Sequence, residues 1–289
     1  MKQIILSFRP NKGVIVIVSL VAIVVLFCMI PPKPEDQGQV PLPKRTPGFK
    51  LEQLALASQT LYGKWVEKDV LVDDHEEWSG TTSVIDKHGD RLVLVSNSHC
   101  LGFRSLANAD SGKGTAPDVK DYQLVVVFPN GVKKPVSKIA ETARQLDLAL
   151  LEVDAAGLGE GVDYIVLRVG VDPYRIGDDV VAVGSPRGLS GTHTFGKISA
   201  FRNDNEVKMI QHHADINPGN SGGPLFAKTK ADRYVWIGVN TLGGGNGLGF
   251  AIDGCEVSKA AYEWVSADKQ GAAQLIRTKY GQPNTTIAP

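Results

Sequence analysis

The chain of 289 residues is 43 % hydrophobic and 21 % charged, which excludes a disordered polypeptide and suits one domain of about 200 residues with an extension. Its 31 basic residues equal its 31 acidic ones, so no global field draws in nucleic acid, and none is expected as a partner. Three scattered cysteines, Cys28, Cys100 and Cys255, lack CxxC spacing and argue against a disulfide framework and a structural zinc site, while a single Cys100–Cys255 bridge stays open.

The first element is the uncharged run 13–30, GVIVIVSLVAIVVLFCMI. At about 1.5 Å per helical residue it spans roughly 27 Å, the thickness of a bilayer core, so a transmembrane helix in the lipid bilayer is expected. Lys2, Arg9 and Lys12 precede it, whereas Lys33 beyond it is offset by Glu35 and Asp36. This bias leaves residues 1–12 cytoplasmic and exports the remainder. A cleaved secretory signal competes, but the run is long for such a signal, and the bulky, proline-rich FCMIPPKP offers no small-x-small cleavage site. Phe27 before Cys28 also departs from a lipoprotein site. An uncleaved signal anchor is therefore the reading adopted. Residues 31–48, PPKPEDQGQVPLPKRTPG, form an extended proline-rich linker.

The folded part spans 49–267, followed by a helical tail over 268–289. FKLEQLALASQTLYGKWV has apolar residues at helical spacing and predicts a short helix leading into a first strand. Short β-branched runs cut by turns follow: GTTSVID, DRLVLVSN, DYQLVVVFP, LDLALLEV, YIVLRVG, DVVAVGSP, GKISAFR, EVKMIQ, PLFA, YVWIGVN and LGFAID. Strands at this density without long helices predict an all-β barrel or sandwich. PNGVKK reads as a hairpin turn. CEVSKAAYEWVSADKQGAAQLIRTKY is the only long helical pattern, placed on the outside of the barrel or extending from it, and no internal repeat is visible.

The chemistry-bearing stretch is INPGNSGGPLF, 216–226. Glycine and proline at this density force a turn that comes close to another group, and the N–H groups of Gly219 and Ser221 are placed to converge on one point. Ser221 reads either as a polar turn residue or as a nucleophile, which needs a base. Of six histidines, His75, His88, His193, His212 and His213 have no second feature to recommend them. His99 ends the strand RLVLVSNSHC, where a side chain is rigidly placed yet accessible. Asp147 lies in the apolar stretch QLDLALLEV, where a buried charge is costly unless paired; capping a turn is its plainer reading. The order His99, Asp147, Ser221 is that of one known Ser-His-Asp arrangement.

VSNSHC, DLALLEV, VVAVGSPRGLSGTHTFGKISA, DINPGNSGGPLF and IGVNTLGGGNGLGFAID together resemble, in order and spacing, the trypsin-like serine proteases of the chymotrypsin fold, most closely the bacterial HtrA branch. The resemblance covers about residues 66–253. It implies a chymotrypsin-like double β-barrel with the triad in the cleft, peptide-bond hydrolysis through an acyl-enzyme, and neither cofactor nor metal. On it, His99 is the general base, Asp147 its orienting carboxylate and Ser221 the nucleophile, with Gly219 and Ser221 forming the oxyanion hole. Thr241, Leu242 and Gly243 are the edge that pairs with substrate.

The sequence departs from that pattern in several places. Only about 35 residues follow GFAID, too few for the PDZ domain usual in the branch. The polar stretch GFRSLANADSGKGTAPDVKD reads as a loop at the cleft rim. Cys100 has no cysteine in GTTSVID to pair with, and Asn220 cannot make the ion pair through which digestive trypsins are activated by a new N-terminus. Asp215 stands where trypsins place the carboxylate that selects Lys or Arg, whereas Ile216 suits the aliphatic pocket of HtrA proteases; the second is favoured.

The function expected is a membrane-anchored endopeptidase acting on exported or misfolded polypeptides at the periplasmic side of a bacterial inner membrane. By resemblance it is a homo-oligomer, a trimer. A catalytically silent binding module and an esterase with the same triad are the other two readings. The intact triad and glycines speak against the first, the substrate-pairing edge against the second.

Overall fold

The structure is a computed structural model, which describes residues 48–67, 74–102, 119–141, 146–169, 173–204, 206–245 and 247–268. The expected anchor at 13–30, nearly all of the expected linker and the expected tail beyond 268 lie outside these residues. Among the described residues no helix is long and apolar enough to cross a membrane.

The predicted short helix is a 3-10 turn, Leu51–Ala57, that buries Leu54 and Ala57. It leads directly into β1 (Gln59–Glu67), followed by β2 (Asp74–His88), β3 (Arg91–Ser96), β4 (Val119–Val127), β5 (Lys133–Pro135), β6 (Lys138–Glu141) and β7 (Ala149–Asp154). These seven strands form one antiparallel sheet in the order β5-β4-β1-β2-β3-β7-β6. The second half holds β8 (Asp179–Gly184), β9 (Thr192–Asp204), β10 (Val207–His212), β11 (Pro224–Lys228), β12 (Tyr234–Gly245) and β13 (Leu248–Asp253), which close a barrel in the order β10-β13-β12-β11-β8-β9. The chain is therefore mostly β and built as two sheets, with the helix α1 (Gly254–Asp268) packing Val257 and Ala260 into the core beside Trp236 and Ile252. PNGVKK is a hairpin turn as expected, with Gly131 at φ 84° and the Phe128 amide donating to the Val132 carbonyl.

One expectation is corrected. YIVLRVG is not a ladder strand. Its amides reach different neighbours in turn, Ile165 donating to the Leu56 carbonyl at 3.2 Å and Leu167 to the Val84 carbonyl at 2.8 Å, and Val169 bridges to Trp236 in the second half. The segment is apolar because Ile165 and Leu167 are buried in the core shared by both halves. The edge strands β5 and β6 escape a hydrophobicity reading because they are short and carry lysines, as exposed edges often do. Cys100 is a free, buried thiol, so the open bridge to Cys255 is not formed.

The unbroken apolar runs of β3 and β7 have a packing cause. Leu92 and Leu94, with Val153 and Leu151 opposite, point into the core of the first sheet, whereas Val95 and Leu150, also opposite each other, point into the core shared with the second half. Strands buried on both faces lose the alternation of half-buried ones. Their register, Ser96 against Ala149, brings the chain leaving β3 beside the chain entering β7. Two aromatics brace that exit. Gly63 pairs with Trp78, whose indole lies where a Cβ on Gly63 would be only 2.0 Å away. The Trp78 indole N–H donates to the Cys100 carbonyl at 2.7 Å, and Tyr122, stacked on it at 6.1 Å, donates to the Leu101 carbonyl at 2.9 Å.

Leu150 is fully buried at the junction of the halves. Leu150→Ala is expected to lower the unfolding free energy by about 2–5 kcal/mol, through lost burial and the cavity left behind. The urea midpoint measures this; an unchanged midpoint would show that the two halves do not depend on this contact.

Candidate active site

His99 sits in a 3-10 turn, Ser98–Leu101, that follows β3 directly. The turn is strapped to the residues before β7. Asn97 Nδ2 and the Ser98 amide both donate to the Asp147 carbonyl, at 2.9 and 3.2 Å, and Ser98 Oγ donates to the Leu148 carbonyl at 2.8 Å. Asp147 itself is in the left-handed region, φ 48°, which Asp tolerates better than most residues. That backbone turns its carboxylate toward the histidine. Oδ1 accepts from the His99 amide at 3.1 Å, and Oδ2 lies 2.8 Å from His99 Nδ1.

The second half reaches the same carboxylate. Thr241 Oγ1 on β12 donates to Asp147 Oδ2 at 2.6 Å, and the Thr241 carbonyl accepts from Ser221 Oγ at 3.1 Å. Four side chains thus form one connected group across both halves, although the Ser221 hydroxyl points at Thr241 and not at the imidazole. Burial opposes ionisation of Asp147, but its bonds to His99 and Thr241 outweigh it and hold the carboxyl below the usual range. Burial likewise opposes charging of His99, yet the hydrogen bond to Asp147, then the neighbouring Cys100, raise its pKa well above the ordinary value. None of the other described histidines touches Asp147. His212 is buried against Gly249 with its pKa pushed down to about 4, chiefly by burial, and His193 contacts the Gly191 carbonyl.

The Ser221 turn presents backbone donors. A trans peptide points its C=O and N–H in opposite directions. The Pro218 carbonyl accepts from the Arg187 amide at 3.1 Å, and the Asn220 carbonyl accepts from the Gly223 amide at 3.0 Å. The N–H groups on the far sides of those two peptides belong to Gly219 and Ser221, and neither has a partner among the described residues. Gly219 has φ 101°, and a Cβ there would come within 2.6 Å of the Ser185 carbonyl, so only glycine fits. Asn220 is buried, its amide group reaching the Asp215 carbonyl at 3.5 Å.

The residues expected to meet the substrate separate. Asp215 is exposed and has no ion-pair partner among the described residues; its carbonyl accepts from Thr194 Oγ1 at 2.9 Å. Ile216 is half-buried against the backbone of Gly243. Thr241, Leu242 and Gly243 all lie in β12, and Gly243 is exposed. The sequence places Thr241 only on this edge. Its hydroxyl bond to Asp147 leaves no mark in the sequence, because nothing in the order of residues says that β12 reaches the first half. Among the described residues no cluster of His, Cys, Asp or Glu suits a metal ion.

The sequence profile of the trypsin-like peptidase domain matches residues 80–232, just over half of the chain. A probable periplasmic serine endoprotease, DegP-like, from a Marinomonas species is 38 % identical over 139 residues, 45 % of this chain and 28 % of that protein. The serine protease PepD of Mycobacterium tuberculosis is 34 % identical over 172 residues, 53 % of this chain and 36 % of that one. Among solved structures, the HtrA-type protease AlgW with a decapeptide matches with a TM-score of 0.53 at 27 % identity, over 74 % of this chain and 66 % of that one. The chain thus spans between about a quarter and just over a third of the length of the curated relatives it matches.

A folded-state pKa of His99 above the unfolded one means that the His99–Asp147 pair stabilises the fold fully below about pH 6.5 and loses that contribution as the pH rises through the folded value. In an NMR titration the His99 ring is expected to lose its proton above pH 6.5, and Asp147→Asn is expected to move the midpoint down. A wild-type midpoint at or below 6.5 would rule out the carboxylate as the controlling partner.

Proposed function

Because the chain belongs to the family of trypsin-like peptidases, we propose that it is a serine endopeptidase of the HtrA type that hydrolyses peptide bonds through Ser221, His99 and Asp147. The observation that carries the reading is the connected group Thr241–Asp147–His99 beside Ser221, whose turn holds two backbone amides without partners among the described residues. A turn residue or a core histidine would need none of this.

The chemistry follows from the geometry. Asp147 Oδ2 accepts from Nδ1–H, which leaves Nε2 of the neutral ring as the basic nitrogen. Rotation of the Ser221 side chain releases its hydroxyl from the Thr241 carbonyl and turns it toward Nε2. The ring takes the proton as Oγ attacks the substrate carbonyl carbon. Negative charge develops on the carbonyl oxygen, where the amides of Gly219 and Ser221 are already oriented and need no rearrangement. The imidazolium, stabilised by Asp147, then protonates the leaving amine, and water repeats the sequence on the acyl-enzyme.

The substrate edge is the exposed backbone around Gly243, where an extended peptide adds as a strand. The residue before the scissile bond is aliphatic, because Ile216 packs beside Gly243 whereas Asp215 is turned out into solvent. The apolar run 13–30 and the linker 31–48 tether a protease domain of 49–267 to the bilayer on the periplasmic side, with 268–289 as a tail. The Marinomonas relative is itself named periplasmic. Misfolded or exported polypeptides are the substrates of such an enzyme, and the trimeric state proposed for it rests on family resemblance.

A fluorophosphonate probe is expected to label the detergent-solubilised protein on Ser221, with labelling abolished in Ser221→Ala. A folded wild type that does not label would leave the silent binding module as the better reading. The pH dependence of kcat/KM on a peptide nitroanilide is expected to rise along one limb centred above pH 6.5, because only the neutral His99 acts as base and its pKa is raised. A flat profile between about pH 5 and 8 would remove His99 from that role.

A further inference from the structure

The turn that carries the oxyanion donors is pinned by one side chain from the other half of the molecule. Thr81 on β2 is fully buried, and all of its polar atoms are engaged. Its hydroxyl donates to the Gly219 carbonyl at 2.6 Å and accepts from the Ser185 amide at 2.8 Å. Its amide donates to the Ser221 carbonyl at 2.9 Å, and its carbonyl accepts from Ser96 Oγ at 2.7 Å. Ser185 in turn receives Thr60 Oγ1 from β1 at 2.8 Å. A buried chain of hydroxyls therefore runs from β1 and β2 of the first sheet to the loop after β8 and on to Gly219.

We propose that Thr81 is a positioning residue for the oxyanion hole, its hydroxyl holding the peptide planes on both sides of Gly219. This rests on the endopeptidase reading given above. Steric contact fixes peptide planes at most residues, but glycine lacks a Cβ and crosses between conformations at little cost. The direction of the Gly219 N–H thus depends on hydrogen bonds to the flanking carbonyls. Arg187 N–H holds the Pro218 carbonyl, and Thr81 Oγ1 holds the Gly219 carbonyl. The same hydroxyl fixes Ser185, two residues before Arg187, so it acts on both peptides at once. Removing it leaves the Ser185 amide and the Gly219 carbonyl without partners in a buried setting, and frees the turn to rotate its N–H away from the developing charge.

Only a hydroxyl that donates and accepts together fills the role. Serine retains it, valine keeps the shape without the hydroxyl, and alanine lacks both. Thr81→Val and Thr81→Ala are expected to lower kcat on a peptide nitroanilide with an aliphatic residue before the scissile bond by about 10- to 100-fold, less than the loss of a whole oxyanion donor. KM is expected to stay within about twofold, and Thr81→Ser to restore most of kcat. In hydrogen exchange followed by mass spectrometry, peptides covering Ser185 and Asn220 are expected to exchange faster in the valine and alanine variants than in wild type or Thr81→Ser. The exchange arm does not require turnover, so an inactive wild type would sink the endopeptidase reading while exchange still decides whether Thr81 holds the turn. The proposal is overturned if the valine variant keeps kcat within twofold, if serine falls as far as valine, if exchange is unchanged, or if both hydroxyl-free variants fail to fold, which would make Thr81 structural only.

Discussion

The Asp147 carboxylate is where the two halves of this molecule meet, and the geometry around it depends on keeping that charge satisfied. A half-buried carboxylate costs several kcal/mol unless hydrogen bonds replace the water it has lost. Here the His99 amide, the His99 ring and the Thr241 hydroxyl do so. Two come from the end of β3 and one from β12. The second half supplies the third of these bonds, so the full set exists only where the two halves are in contact. The left-handed backbone at Asp147 is compatible with this only because the strap from Asn97 and Ser98 holds the same residue by its carbonyl.

The Ser221 turn follows a different logic. Asp147 is fixed by what its side chain receives, whereas Gly219 and Ser221 are fixed by what their neighbouring carbonyls receive. The donors proposed to stabilise the oxyanion have no partner among the described residues, and the opposite ends of their peptides are occupied by Arg187 and Gly223. Much of the local sequence is explained by this need for close approach. Gly219 abuts the Ser185 carbonyl, and Thr81 clamps the turn from outside it. The aromatic pair Trp78 and Tyr122 does a similar service for the histidine turn, holding two successive carbonyls just beyond His99.

Legibility in the sequence varied with the kind of interaction. His99 and Ser221 stood out because their surroundings are locally unusual: a strand that ends abruptly and a turn crowded with glycine and proline. Asp147 stood out as a charge in an apolar run. Strands with β-branched runs were legible, but β5 and β6 were not, being short and lysine-bearing. YIVLRVG misled because burial between two halves produces the same apolar pattern as burial in a sheet. Thr81 had no local signal at all, since a threonine inside a strand is ordinary until the carbonyl it faces is known.

Composition, periodicity and motif order by themselves determined the β class, the apolar N-terminal run, the order His99, Asp147, Ser221 and the resemblance that gathers them. These properties are carried by residue type and by neighbours along the chain. Only the tertiary structure decided that Thr241 completes the bonding of Asp147, that the Ser221 hydroxyl points to Thr241, that Asp215 is turned outward and that Thr81 reaches Gly219. Each of these is a hydrogen bond or an exposure set between residues tens to more than a hundred positions apart. Such contacts depend on strand register and the packing of the two halves, and no local pattern of side chains encodes them.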